Sequence, residues 1–315
     1  MACKDMSEYT CSLSKESLEY AKLKLREDPV TRMLEVKAFR ERLLQYGHGL
    51  RPNTDTRFLL RFLRARKFDQ EQAFDMILKY YRMKKQDARM YTGLKPLNVL
   101  HVYPTSVAFP LPFRDRLGRQ VYITYSGRVD STRYSMEDLL KAEFLNISKM
   151  IQDEETQVRG VTSILDCQGF TMAHMKDYAL DFNYGKKFTY IWQEAFPVRL
   201  KLLLLVNEPS FMDLVLTVFT PLMKNKVLKR MHRIGTNWRK LHEFIDPVHL
   251  PREYGGTRPE PFTDKDWIQT MLTCNEEMEE ESKYGFVDYT MGRDVRKQQD
   301  AINTMAGTFR KLNVD

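Results

Sequence analysis

The sequence FPVRLKLLLLVNEPSFMDLVLTVFTPLM, residues 196–223, joins two apolar segments of different kinds. The first, KLLLLVN, is a short continuous run, which is typical of a strand buried on both faces. The second begins after the proline of NEP, and one aspartate is its only charge. Its residues Phe211, Val215 and Val218 recur at the spacing of one helical face. The pattern predicts a strand followed by an apolar helix, and taken alone it favours an ordinary buried helix over one that covers a ligand.

The residues that follow this helix, KNKVLKR, are strongly cationic, with Lys224, Lys226, Lys229 and Arg230 close together. Lys226 and Arg230 are four positions apart, so both can reach one polyanionic group from the same helical face. A solvated helix face is a sufficient account of Lys224 and Lys229. The segment is therefore predicted to join an apolar helix to a cationic one.

Short strand-like runs also precede this segment. QVYITYS at residues 120–126 and GVTSILD at residues 160–166 are rich in β-branched and aromatic side chains. They are separated by stretches long enough for helices at about residues 136–158 and 172–195. Since each pair of parallel strands needs a crossover connection, this alternation predicts an α/β layer with a mostly parallel sheet.

The first third of the chain has the pattern of helices. Asp28 before Pro29, Asp55 and Asp69 are each placed to cap a helix, which predicts a small helical bundle. The acidic run NEEMEEE near the other end is expected to be a solvated helix or a disordered segment. The predicted division is a helical bundle at residues 1–95, an α/β domain at residues 96–262 and a polar, acidic tail at residues 263–315.

Motifs of nucleotide binding and of common hydrolases are missing: GxGxxG, GxxxxGK[ST], GxSxG and HExxH do not occur. The four cysteines are scattered without metal-ligand spacing, which indicates a reducing compartment. Cys167 has no histidine near it in sequence, and the adjacent His242 and Glu243 point to different sides of a helix. We therefore expect no enzymatic activity, no cofactor and no metal.

The overall charge indicates an anionic partner. A formal net charge of +8 and an isoelectric point near 9.1 suit nucleic acid or a membrane surface, or serve only to keep the protein soluble. The longest apolar run, LLLLV, is far shorter than the ~20 residues that span a bilayer. The first residues, MACKDMSEYTC, lack the apolar run of a signal peptide. Membrane contact is therefore expected to be peripheral and the location cytoplasmic.

Four motifs in one order carry a family resemblance: RFLLRFLRARKFD at residues 57–69, SILDCQG at 163–169, the quoted segment at 196–223 and LPREYGG at 250–256. Together they resemble the CRAL-TRIO lipid-transfer family, in the branch of α-tocopherol transfer protein, cellular retinaldehyde-binding protein and clavesin. The resemblance implies an N-terminal helical bundle and a CRAL-TRIO α/β lipid-binding domain with a mostly parallel sheet. It also implies an apolar pocket closed by a mobile lid helix.

The resemblance assigns roles to residues. Phe211, Val215 and Val218 would form the pocket face of the lid. The residues matching the phosphoinositide-binding positions are Arg66, Arg199, Lys226 and Arg230. The residues matching pocket positions are Leu140, Ile147, Ile151, Val161, Leu165, Phe188, Ile191, Trp192, Phe196, Leu200 and Leu203.

One pair of positions departs from the relatives. Where α-tocopherol transfer protein has small hydroxyl side chains on the pocket helix, this chain has Glu143 and Ile147, with Asn146 and Ser148 adjacent. A ligand hydroxyl needs a buried partner or a water molecule, so this difference disfavours tocopherol itself.

The expected function is to bind a tocopherol-like, retinoid-like or other isoprenoid lipid and to transfer it between membranes that contain phosphoinositides. The alternative is a phosphoinositide-binding adaptor of membrane trafficking, of clavesin type. Nucleic acid is not expected as a partner, since no aromatic stacking platform accompanies the basic residues. The sequence names no protein partner. The protein is expected to be cytoplasmic and reversibly membrane-associated, with endosomes as one location.

Overall fold

The computed structural model describes residues 9–179 and 182–287. Its N-terminal part is a helical bundle, in which Asp55 and Asp69 each accept hydrogen bonds from backbone N–H groups of a first helical turn. Asp28 does not cap a helix, because it accepts from the N–H of Val30 in a turn and the helix begins at Arg32. The elements of this part are α1 (Lys15–Leu25), α2 (Arg32–Tyr46), β1 (Leu50–Arg51), α3 (Thr56–Ala65), α4 (Gln70–Gln86) and α5 (Ala88–Tyr91).

The second part is an α/β layer, as predicted. Its five-stranded sheet has the order β2-β3-β4-β5-β6, in which only the β2–β3 pair is antiparallel. The strands are β2 (Ala108–Arg114), β3 (Gln120–Tyr125), β4 (Val161–Asp166), β5 (Leu200–Val206) and β6 (Met231–Gly235). The helices are α6 (Met136–Met150), α7 (Glu154–Arg159), α8 (Met172–Ala179), α9 (Phe182–Tyr190), α10 (Met212–Phe219), α11 (Asn225–Leu228) and α12 (Trp238–His242).

The two faces of the sheet bury different sets of side chains. On β5, Leu204 and Val206 pack with Ile164 of β4 in a core that contains Leu241 of α12. The alternate residues Leu203 and Leu205 point to the opposite face, since successive side chains of a strand alternate. That opposite face is covered by α6, α9 and α10, and it carries the site described below.

The acidic run near the C-terminus is packed against the bundle. Residues 265–286 form α13 (Lys265–Thr273), α14 (Asn275–Ser282) and β7 (Gly285–Phe286), and β7 pairs with β1. Met271, Cys274 and Met278 are buried in the core that the bundle shares with α6. Three acidic side chains of the run pair with cations on neighbouring elements, as in the 2.8 Å pair of Glu279 with Lys95. The remainder of the predicted tail lies outside the described residues.

A buried ion-pair network joins the bundle to the α/β layer. The guanidinium of Arg64 on α3 is fully buried and donates to Glu27 at 2.7 and 2.9 Å. It also donates to Glu154 at 2.8 Å and to Gln157 at 2.7 Å, both on α7. Because a buried charge without partners is costly, this network fixes α3 against the start of α7.

Candidate functional site

A cavity of about 460 Å³ lies between the sheet, the helices α9 and α10, and the end of α3. This volume is within the range of roughly 300–1,000 Å³ typical of small-molecule sites. Leu165 of β4 and Leu203 and Leu205 of β5 form its floor, and Phe188 and Trp192 form one wall. The lining is mainly apolar, so the cavity suits a hydrophobic ligand.

Part of the predicted pocket lines this cavity and part does not. The predicted residues that line it are Leu165, Phe188, Trp192, Leu200 and Leu203. The others are buried in the core shared with the bundle: Leu140, Ile147, Ile151, Val161, Ile191 and Phe196. The reason is that α6 is buried on nearly every side, so its apolar pattern does not show which face meets the cavity.

Helix α10 covers the cavity with a different face from the predicted one. Val215 lines the cavity, but Phe211 and Val218 do not. Phe211 precedes the helix, and its ring stacks on Phe170 with centroids 6.1 Å apart. The covering face is instead formed by Met212, Val215, Leu216 and Phe219, which also have the i, i+3, i+4, i+7 spacing of one helical face.

Polar contacts, some of them exposed, hold both ends of α10. Arg233 of β6 pairs with Asp213 and with Glu208, each at 2.5 Å. At the other end, Gln193 donates to the carbonyl of Leu222 at 3.1 Å and accepts from the backbone N–H of Lys224 at 2.7 Å. The Arg233–Asp213 pair is exposed, and since such pairs contribute about 0–1 kcal/mol each, it can break without unfolding the domain.

The four predicted phosphoinositide-binding residues line the same cavity, together with three further lysines, of which Lys224 forms an ion pair with Glu194. Arg66 and Lys67 follow α3, Arg199 and Lys201 lie at the start of β5, and the other two precede β6. We call the set without Lys224 the cationic cluster: Arg66, Lys67, Arg199, Lys201, Lys226 and Arg230. Within the described part of the chain, none of its members forms an ion pair with a carboxylate.

Burial and mutual repulsion lower the pKa values of two lysines in the cluster. Burial, and then Arg199 and Arg230, lower the pKa of Lys201 to about 7. Burial followed by Arg230 and Arg66 lowers the pKa of Lys226. An anion placed among these side chains would relieve both effects, because opposite charge favours the protonated form.

The backbone holds two members of the cluster in place. The guanidinium of Arg199 donates to the carbonyl of Val158, and that of Arg230 donates to the carbonyl of Leu200. Gly160 has φ +90°, and a Cβ there would lie 2.5 Å from the carbonyl oxygen of Arg199. Glycine is therefore required where the start of β4 meets this part of the cluster.

Among the described residues, one acidic side chain lines the cavity. Glu143 of α6 is buried, and its Oε2 accepts a hydrogen bond from the hydroxyl of Tyr122 at 2.8 Å. Burial raises the pKa of this carboxyl to about 7, and the bond from Tyr122 opposes the shift. The cavity thus combines an apolar lining with a cationic cluster and a separate buried carboxyl.

The candidate catalytic residues have no reactive arrangement. Burial raises the pKa of the Cys167 thiol to about 12, so it is a poor nucleophile. The Nε2 of His242 lies 3.0 Å from the carbonyl oxygen of Tyr254. Among the described residues, no three His, Cys, Asp or Glu side chains are grouped to hold a metal ion.

Comparison with known proteins identifies the family. Residues 105–256 match the CRAL/TRIO domain, and residues 13–79 match the CRAL/TRIO N-terminal domain. The chain belongs to the CRAL-TRIO family. This is a family of lipid-binding and lipid-transfer proteins.

Relatives lie in the branch indicated by the sequence motifs. The chain is 32% identical to Clavesin-2 of Mus musculus, over 93% of this chain and 89% of that protein. It is 30% identical to alpha-tocopherol transfer protein-like of Homo sapiens, over 87% of this chain and 79% of that protein. The crystal structure of Sfh5 aligns with a TM-score of 0.48 and 14% identity, over 85% of this chain and 99% of that chain.

The sequence reasoning missed several lining residues. Lys201 lies on β5 two positions after Arg199, which immediately precedes the strand, so continued alternation of the extended chain places both on one face. Met212, Leu216 and Phe219 could not be selected from the sequence because nearly every residue of α10 is apolar.

The described helices include none with the length and hydropathy of a membrane span.

Proposed function

We propose that this protein binds a hydrophobic lipid in the cavity and transfers it between membranes, docking through phosphoinositide headgroups at the cationic cluster. The proposal rests on one observation: the apolar lining and the cationic cluster belong to the same cavity. A membrane-bound headgroup at the cluster would bring the cavity against the bilayer. The lipid class is tocopherol-like, retinoid-like or another isoprenoid.

The physical need for such docking follows from the ligand. A lipid of some 20 to 30 carbons resists entering water by on the order of 20 kcal/mol, at ~0.8 kcal/mol per CH₂. A carrier therefore has to open against the membrane, so that its ligand passes between two apolar media. Helix α10 is the element that opens, because it covers the cavity and its ends are held by exposed pairs.

The strength of docking suits a reversible carrier. Each basic residue near an anionic surface contributes ~1 kcal/mol, so the six side chains of the cationic cluster contribute about 6 kcal/mol. This attraction is strong enough to dock the protein and weak enough to release it. We place the protein in the cytoplasm, in reversible contact with membranes, endosomes included.

The test compares two double variants in co-sedimentation with vesicles. Lys226→Ala with Arg230→Ala should weaken binding to phosphatidylinositol bisphosphate vesicles by roughly 30-fold, from ~1 kcal/mol for each charge. Lys22→Ala with Lys24→Ala removes two exposed charges from α1 and is the matched control. Phosphatidylserine vesicles of equal surface charge should bind the wild type more weakly. If both double variants lose the same vesicle affinity, or if the wild type binds both lipids equally, the cluster attracts anionic membranes without recognising the phosphoinositide headgroup.

The alternative role, a phosphoinositide-binding trafficking adaptor, shares the fold and the cationic cluster. It is favoured only by the similarity to Clavesin-2. An adaptor would retain its lipid as a signal or tether, and would bind it without accelerating exchange between vesicles. Transfer kinetics therefore separate the two roles.

A further inference from the structure

Tyr20 of α1 lies beside the cationic cluster, although it does not line the cavity. The guanidinium of Arg159, at the end of α7, lies 4.6 Å from the centroid of the Tyr20 ring. Burial lowers the pKa of Arg199, and Tyr20 gives the strongest opposing effect through its hydroxyl, which therefore lies within hydrogen-bonding reach of the Arg199 guanidinium. Tyr20 is thus placed between two arginines, of which one belongs to the cluster.

Both arginines have donors for an anion at this position. The Nη1 of Arg199 donates to the carbonyl of Val158, and within the described ranges no carboxylate pairs with this guanidinium. Arg159 pairs with Glu16 at 2.8 Å, but the Glu16 carboxylate is exposed, and exposed pairs contribute little. A guanidinium presents five N–H donors in a fork that matches phosphate oxygens. A phosphate group on the hydroxyl of Tyr20 would therefore lie within reach of two such forks.

Helix α1 is an accessible part of the fold. Tyr20 keeps part of its surface exposed, and its neighbour Glu19 is exposed. The helix packs through a small core that is separate from the cores of the sheet and the bundle, formed by Leu13, Ala21, Leu25 and Val158. An element with few buried apolar contacts opens locally at lower cost than a main core. A modifying enzyme can therefore reach Tyr20 while the α/β layer stays folded.

Resting on the proposed docking function, we propose that Tyr20 is a phosphorylation site whose phosphate switches off membrane docking. A tyrosine kinase supplies the phosphoryl group from ATP. The Oη of Tyr20 attacks the γ-phosphorus and forms a new O–P bond, while the bond from that phosphorus to the bridging oxygen breaks and ADP leaves. The hydroxyl proton passes to the general base of the kinase.

The sign of the effect follows from charge. A phosphate on tyrosine carries a charge of about −1.5 to −2 at pH 7. Between Arg159 and Arg199 it engages donors of the cluster and lowers the positive potential that attracts an anionic membrane surface. The phosphorylated chain thus holds its own competitor for the headgroup.

The first experiment asks whether the site is used. The full chain is incubated with ATP, Mg²⁺ and a broad-specificity tyrosine kinase domain, and mass spectrometry of its peptides maps the phosphorylated residues. Tyr20 should be phosphorylated. Tyr20→Phe, which keeps the ring beneath Arg159, should lose that phosphopeptide and stay folded by circular dichroism. Absence of phosphate at Tyr20 in the wild type would overturn the modification site.

The second experiment measures the effect with phosphotyrosine introduced at Tyr20 by genetic code expansion. The matched control carries phosphotyrosine at Tyr284, whose ring centroid also lies near an arginine, 5.6 Å from Arg51, but outside the lining of the cavity. Phosphate at Tyr20 should weaken binding to phosphatidylinositol bisphosphate vesicles by roughly 30-fold, the effect of cancelling two basic charges. Phosphate at Tyr284 should weaken it less than about threefold. Equal losses would overturn the switch.

A readout without membranes separates this inference from the docking function. In a ³¹P NMR titration, Arg199→Ala should raise the second pKa of the Tyr20 phosphate by about one unit, because a nearby cation stabilises the dianion. A phosphate that titrates alike with and without Arg199 would overturn its contact with the cluster. Failure of the unmodified chain to bind phosphoinositide vesicles would overturn docking and leave that contact standing.

Discussion

The most discriminating substitution in α10, the predicted lid, is Leu216→Asp, with Leu214→Asp as its control. Both leucines lie on α10 and are two positions apart. Leu216 lines the cavity, whereas Leu214 is 49% exposed on the outer side. The same carboxylate is therefore placed once against the ligand and once against solvent.

The magnitude follows from burial. Removing a leucine from an apolar contact loses about 1.5–3 kcal/mol, and burying an unpaired carboxylate costs several kcal/mol more. Part of this cost is avoided if α10 stays away from the cavity. We therefore expect a loss of at least about 3 kcal/mol in the free energy of ligand binding, or more than 100-fold in affinity. Leu214→Asp should change the affinity less than about threefold.

The assay is titration of the lipid-free protein with a fluorescent isoprenoid analogue, after circular dichroism has shown that both variants are folded. The helical spacing in the sequence would have placed this test at Phe211, but Phe211 stacks on Phe170 and does not itself line the cavity. If both aspartate variants weaken binding equally, or if neither does, α10 is an ordinary buried helix and does not cover the ligand.

Three other outcomes follow from buried charges. Burial, other members of the cationic cluster and Arg119 lower the pKa of Lys201 to about 7, so this side chain loses its charge as pH rises above 7. Binding to phosphoinositide vesicles should then weaken by at most about tenfold per pH unit, which a titration of binding from pH 6 to 9 checks. Because burial in the folded protein raises the pKa of Glu143 from 4.5 to about 7, wild type loses stability as pH rises through that window. Glu143→Gln should therefore become more stable relative to wild type, by up to roughly 3 kcal/mol at pH 8 in urea unfolding. A stability difference between the two proteins that is the same at pH 5 and pH 8 would contradict this. Arg64→Ala leaves two buried carboxylates without their cation and should destabilise the fold by about 3–5 kcal/mol, and a loss below 1 kcal/mol in the same assay would show that the network is dispensable.

Local pattern was enough to predict the fold class. Alternating strand-like and helical stretches predict the parallel sheet, and Asp55 and Asp69 cap their helices as expected. The packing of the acidic segment was not predictable, because Met271 and Met278 are isolated apolar residues in a polar stretch. Their burial depends on a distant bundle surface that no local pattern describes.

Some features of the candidate site were predictable from the sequence and others were not. Arg199 and Lys226 were identified by resemblance, and the structure brings them to one cavity. The cavity face of α6 was not predictable because this helix is buried on nearly every side, polar residues included, and that of α10 because nearly all its residues are apolar. Glu143 was visible as a departure from relatives, but its bond to Tyr122 required the fold.

The central claim, that the protein carries lipid to phosphoinositide membranes, is tested most directly by stopped-flow transfer of a fluorescent isoprenoid analogue between vesicles. Wild type should accelerate transfer over spontaneous desorption, and more so for acceptors with phosphatidylinositol bisphosphate than for phosphatidylserine acceptors of matched charge. The preference should shrink when Lys226 and Arg230 are both replaced by alanine. Transfer no faster than spontaneous desorption, in a protein that does bind the lipid, would contradict the carrier role and favour the adaptor.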